Sequence, residues 1–172
     1  MTAAPKNKQA KADLSSARPL IAIVGLAALL IASAALAFVH AKFSQGYVKI
    51  GEDLRVNVSV ADNDATREKG LSGKEGLAAD EGMLFIFDHP QAYGFWMKEM
   101  KFPIDILWIA DGTLVDITTD AAVPVPGQEL PVYYPKVPVD RVLEVRAGFA
   151  REHGLRTGLP VAIHVDKDKQ GR

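Results

Sequence analysis

At 172 residues, with 48% apolar and 24% charged side chains, the chain suits one folded domain plus an appendage and is too apolar to be disordered throughout. It has no cysteine, which excludes thiol nucleophiles, CxxC redox chemistry, thiolate zinc sites and disulfides together. The net charge of −1 conceals a division: residues 1–42 hold five basic residues against one acidic (+4), and residues 43–172 hold fifteen against twenty (−5). The second part lacks the clustered cations that nucleic-acid phosphates demand, so nucleic-acid binding is discarded.

Residues 1–19 are polar and basic and read as a cytoplasmic tail. Leu20 to Val39 is twenty residues without a charge and with Ser33 as its one polar side chain. At ~1.5 Å per residue a helix of that length spans ~30 Å, the thickness of a bilayer's hydrocarbon core. Its length favours a retained transmembrane anchor, whereas the ending Ala35-Leu36-Ala37 favours a cleaved signal peptide. Four basic residues precede it, so the N-terminus is expected to stay inside and the bulk to be exported. The expected location is therefore the inner membrane, single-pass, with a periplasmic or extracellular C-terminal domain; the alternative is secretion after cleavage near Ala37. Residues 40–46 read as a linker, 47–166 as the folded domain and 167–172 as a polar tail.

Within that domain, Leu54, Val56, Val58 and Val60 alternate with polar residues, the mark of a half-buried strand. Asp62-Asn63-Asp64 offers capping oxygens for a short helix, Ala65 to Lys69, stopped by Gly70. Leu71 to Glu81 reads as a glycine-rich loop. Met83–Phe87, Phe95–Lys98 and Ile104–Ala110 follow as strands, and Asp111-Gly112 is a hairpin turn leading back into Thr113–Thr118. Ala121 to Pro138 holds five of the ten prolines and reads as an extended loop of the kind that often serves as a binding loop or lid. Val142–Val145 is a strand, Ala147–His153 a short helix ending at Gly154, and Val161–Val165 the closing strand. The expected fold is mainly β, a compact sandwich or barrel-like domain with one or two short helices. No βαβ rhythm is present.

Arg67-x-x-Gly70-Leu71, Glu81-Gly82-Met83-Leu84-Phe85, Phe95-Trp96-Met97-Lys98, Pro103-Ile104-Asp105, Asp111-Gly112 and Val142-Leu143-Glu144-Val145 with Ala147-Gly148 occur in that order. This string resembles the DUF192 (UPF0127) family over roughly Val48 to Val165. The resemblance implies a small mainly-β, sandwich-like domain, frequently exported, and no established activity from which catalytic residues could be carried over. Two departures stand out. After Trp-Met-Lys the family usually has Asn-Thr, where this chain has Glu99-Met100, and some members have cysteines in the proline-rich loop, absent here.

Strand alternation sends Trp96 and Lys98 to one face of their run and Phe95 and Met97 to the other. Read plainly, Phe95 and Met97 are core and Lys98 is solvated; read functionally, Trp96 and Lys98 form an aromatic and cationic platform for a ligand. Asp105 interrupts an apolar run, where a buried carboxyl needs a partner, and Arg67 or Lys98 is the expected ion-pair mate. Glu144 interrupts Val142–Val145 in the same way. Were the two carboxyls close, an acid–base pair of glycosidase type would be arguable. Arg67 suits a planar anion. Ser72 lies outside a GxSxG motif, the four histidines share no ligand spacing, and Gly70, Gly73 and Gly76 lack the context of a nucleotide cradle, so no metal and no cofactor is expected.

Two functions result. The first is a membrane-tethered, non-catalytic module that binds a small ligand or an envelope protein through Trp96, Lys98, Arg67 and Phe95. The alternative is a hydrolase or carbohydrate-active enzyme using Asp105 and Glu144.

Overall fold

The computed structural model describes residues 43–166. The expected membrane segment Leu20–Val39 and the polar tail lie outside the described residues, and among the described residues no helix is long and apolar enough to cross a membrane. The domain is mainly β, with two short helices.

In chain order the elements are β1 (Ser44–Ile50), β2 (Leu54–Ala61), α1 (Asp64–Lys69), β3 (Glu81–Gln91), β4 (Phe95–Trp96), β5 (Ile104–Ala110), β6 (Thr113–Ala121), β7 (Val132–Tyr133), β8 (Val139–Arg146), α2 (Phe149–Glu152) and β9 (Val161–Val165). Seven strands form one sheet in the order β6-β5-β8-β3-β2-β1-β9, and β4 pairs with β7 in a separate ribbon. The pairings are antiparallel except β2 with β3. That parallel pair requires a crossover, and α1 with the loop after it provides one. The crossover escapes the sequence because six helical residues are too few to set a βαβ rhythm.

Local chemistry explains the joints. Asn63 caps α1: its Oδ1 accepts from Thr66 N (3.1 Å), while Asn63 N donates to Thr66 Oγ1 (3.2 Å), a reciprocal capping box. The β5–β6 hairpin turns at Asp111 (φ 48°) and Gly112 (φ 66°), both left-handed as a two-residue hairpin of this kind demands. At the far end the sheet closes on itself. Thr113 bridges Pro160, Leu114 N donates to Leu159 O (3.0 Å) and Gly158 N donates to Leu114 O (2.8 Å), joining the chain before β9 to β6.

The core has two layers, one on each face of the sheet. Val58, Leu84, Leu107, Leu143 and Val145 pack with Phe149 on one face. Met83, Phe85, Ile106, Trp108 and Val142 pack on the other, beneath Leu71, Phe95, Met97 and Met100 from the connecting segments. Strand β5, between β6 and β8, is therefore buried along nearly its whole length, which is why Ile104–Ala110 reads as an unbroken apolar run and not an alternating one.

Asp105 sits in that run, fully buried. Neither expected cation reaches it. Arg67 donates Nη1 to Ile86 O (2.6 Å) and Nη2 to Asp64 Oδ1 (2.8 Å), and Lys98 is exposed. Three backbone N–H groups satisfy Asp105 instead: Asp120 N (2.9 Å) and Gly148 N (3.2 Å) on Oδ1, and Ala150 N (2.9 Å) on Oδ2. The β5–β6 register slips between Ile104 and Ile106, leaving Asp120 (φ 52°) in a bulge. Gly148 and Ala150 open α2, whose N-cap residue Gly148 has no side chain to cap it. One carboxyl on β5 thus caps the helix and pins the bulge.

Asp105→Asn should cost about 2–3 kcal/mol, because one acceptor oxygen is replaced by an NH₂ group facing backbone donors. Urea denaturation of the full chain checks this; a loss below about 1 kcal/mol would mean that α2 and the bulge are held by other contacts.

Candidate functional site

Sequence alternation survives in the short ribbon strand β4 and just beyond it. Phe95 and Met97 are buried, while Trp96 is 52% exposed. Phe95 packs edge-on against Phe85 (4.9 Å between ring centroids) and Trp108 (5.4 Å), which fixes it as core and leaves Trp96 at the surface. The strand is only two residues long, and Lys98 follows it in a turn. Its carbonyl accepts from Ser72 Oγ (3.0 Å), and the carbonyl of Glu99 accepts from Gly73 N (3.1 Å), tying the turn to the loop after α1. Glu99 has φ 58°, a conformation that asparagine tolerates better than glutamate, so the family's usual Asn here has a backbone reason.

Strand β7 lies inside the proline-rich segment and pairs Tyr133 with Phe95 and Val132 with Trp96. Proline spacing hid it. Gly94 makes this approach feasible: a Cβ there would lie 2.8 Å from the Tyr134 ring and 2.9 Å from Val132.

Between α1, the end of β3 and the β4 segment lies a cavity of about 140 Å³. Its walls include Arg67, Phe85, Phe87, Tyr93, Phe95 and Trp96. Phe87 and Tyr93 stack with centroids 3.7 Å apart, and the Arg67 guanidinium lies 5.3 Å from the Phe87 centroid. Three residues expected to bind ligand (Trp96, Arg67 and Phe95) thus meet at one cavity, and Lys98 is not among its lining residues.

Glu144 completes the lining. On β8 it stands directly across from Met83 in β3 and Ile106 in β5, both fully buried. It is 5% exposed and, among the described residues, accepts no hydrogen bond from another side chain or from an N–H. Burial amid these apolar neighbours pushes its carboxyl up to about 8, so at neutral pH the group carries its proton and is a hydrogen-bond donor. A carboxyl so perturbed and facing a cleft marks a candidate functional group.

Glu144 does not pair with Asp105. The register sets Asp105 opposite Val145 and Ile106 opposite Glu144, so the two carboxyls leave opposite faces of the sheet. The glycosidase-type pair therefore has no geometric basis. Sequence reasoning also missed Phe85, Phe87 and Tyr93 as cavity walls. The Phe85–Phe87 alternation was visible, but it reads as core until the loop that brings Tyr93 over it is known.

The DUF192 family model, described as "Uncharacterized ACR", matches residues 47–163. The chain belongs to the DUF192 family. Two crystal structures are similar to it. One is a Sinorhizobium meliloti 1021 protein whose name proposes a transcription regulator, at 30% identity over 72% of this chain and 97% of that one, with a TM-score of 0.65. The other is a protein of unknown function from Novosphingobium aromaticivorans DSM 12444, at 27% identity over 71% of this chain and 87% of that one, with a TM-score of 0.63. Among curated proteins none matches the chain significantly.

The Glu144 environment has a measurable signature. Its carboxyl is raised from an ordinary 4.5 to about 8 on folding, so between these values the folded state holds a proton that the unfolded state has lost. Stability should therefore fall as pH rises through that window, by up to about 5 kcal/mol, and level off above it. Glu144→Gln should remove this decline; melting curves of both proteins from pH 5 to 9 test it, and parallel curves would mean that Glu144 ionises normally.

Proposed function

We propose that the domain is a non-catalytic module that binds a small ligand in the cavity between α1, β3 and β4, tethered to the cell envelope by Leu20–Val39. The observation that carries this reading is Glu144: a residue only 5% exposed, whose carboxyl accepts no hydrogen bond from the protein and keeps contact with an aromatic-lined cavity. Among the described residues no fully buried side-chain nitrogen or oxygen lacks a hydrogen bond, so the Glu144 carboxyl reaches the cavity, where a ligand can complete its hydrogen bonding. Trp96, half-exposed at the rim, offers an aromatic contact of the kind that dominates binding energetics. The lone carboxyl supports binding more than hydrolysis, for which a second catalytic group would be needed.

The tether and export rest on the uncharged twenty-residue segment and the basic residues before it. The transcription role named for the Sinorhizobium relative is not extended to this chain, because its residues 43–172 carry a charge of −5 and lack a basic footprint.

Binding is tested by titrating the full chain, in a maltoside detergent, with small fragments of cationic, neutral and anionic classes, followed by NMR at the Trp96 indole N–H. A fragment of at least one class should shift this resonance. Trp96→Ala should weaken that fragment at least about tenfold, the equivalent of 1.4 kcal/mol, with its melting temperature little changed. Silence with every class, or a Trp96→Ala chain that unfolds without a binding defect, would return the cavity to structure. For the tether, immunoblots of membrane fractions should find the full 18.6 kDa chain. A soluble product shorter by about 37 residues would replace the anchor with a cleaved signal.

A further inference from the structure

We propose that the cavity over Glu144 takes a small organic monocation, an alkylammonium or quaternary ammonium group, held between the carboxylate at its floor and the aromatic walls. This rests on the ligand-binding reading above and names the ligand class.

Three observations converge. First, the Glu144 carboxyl accepts no hydrogen bond from the protein and has no ion-pair partner among the described residues, and the Arg67 guanidinium is committed to Ile86 O and Asp64. Burial alone accounts for the perturbation of Glu144, with no contribution from a neighbouring cation. Second, Phe85, Phe87, Tyr93, Phe95 and Trp96 line the space; the Phe87 ring already bears Tyr93 and the Arg67 guanidinium, and the half-exposed Trp96 offers aromatic surface of the kind that attracts ammonium groups. Third, the remaining charges cancel. Arg67 and Lys69 line the cavity with Glu68, and Asp64 pairs with Arg67, so an ionised Glu144 leaves one negative charge for the ligand to neutralise.

Size sets a limit. At about 140 Å³ the cleft resembles the roughly 150 Å³ protein cavities that hold benzene, room for a tetramethylammonium-sized head, and it is half open to solvent, so the rest of a larger ligand would lie outside it. An anion would find the Arg67 guanidinium already engaged by Ile86 O and Asp64.

Binding of a cation must expel the Glu144 proton to solvent, so affinity and pH are linked. The other charged or titratable groups of the cavity are Arg67, Glu68 and Lys69 of α1 and Tyr93; β3 and β5 present apolar Met83 and Ile106 beside the carboxyl, and Asp105 leaves the opposite face.

Three probes of similar shape separate the possibilities: tetramethylammonium, neutral tert-butanol and anionic pivalate. Each is titrated by calorimetry into the full chain in maltoside detergent from pH 6 to 9.5 at constant ionic strength. Tetramethylammonium should bind, up to about tenfold more tightly per pH unit until about pH 8 and then evenly, with release of one proton seen as a buffer-dependent heat. Glu144→Gln should lose this binding, and the wild-type pH profile tests the idea independently of that variant's folding. If tert-butanol or pivalate binds and tetramethylammonium does not, the cationic ligand is overturned while the cavity remains a binding site. If none of the three binds, both readings fall. Binding of tetramethylammonium that ignores pH and survives Glu144→Gln also overturns the proposal.

Discussion

One buried carboxyl group holds together parts of the chain that are distant in sequence. Asp105 lies on a buried interior strand, yet its partners are the N–H groups of the β6 bulge and of the first turn of α2. Each donor lacks a ladder or helical acceptor of its own and would be costly to leave bare in the interior. Because the acceptor is on the most buried strand, the bulge and the helix are both referenced to the buried interior of the domain. The same strand carries Ile106, which with Met83 frames Glu144 on the other face. The support of the fold and the floor of the cavity are thus adjacent residues with opposite side-chain directions.

The two carboxyls illustrate two outcomes of burial. Asp105 is surrounded by donors and is part of the architecture. Glu144 has apolar neighbours, and burial holds its proton on up to about pH 8, which makes it a local cost that the domain carries. A sequence under selection for stability alone would place leucine or valine there, as at Leu143 and Val145 on either side. An acid at a site of net cost is what the proposed binding role would require, a stability–function trade-off at the level of one side chain.

The larger elements were legible in the sequence because local chemistry dictated them. Asn63 capped the first helix, Asp111-Gly112 made the hairpin, and Ile104–Ala110 and Val161–Val165 were strands with the expected limits. Beginning the domain at Tyr47 overlooked the start of β1 at Ser44, whose alternation is weak, and extending the strand to Lys98 overlooked the turn at Glu99. The partners of Asp105 were out of reach because they are backbone groups, which every residue but proline possesses and no side-chain pattern announces. The cavity was half legible: Trp96, Phe95 and Arg67 stood out by type, whereas Tyr93 and Gly94 acquire meaning only once β7 is laid beside β4. The opposed directions of Asp105 and Glu144 needed the register of β5 against β8, a non-local quantity.

The first strand of the sheet pairs with the last, and the chain just before that last strand bonds to β6. During synthesis β1 is made early and its outer edge then waits for a partner that emerges near the end. Until then its N–H and C=O groups form an open template to which another chain could add. These pairings also bring together residues far apart in sequence, so loop-closure entropy must be overcome before the contacts repay it, which slows folding. The risk of mispairing is therefore concentrated in the interval between the synthesis of β1 and the arrival of β9, and the final few residues of the domain govern when that interval ends.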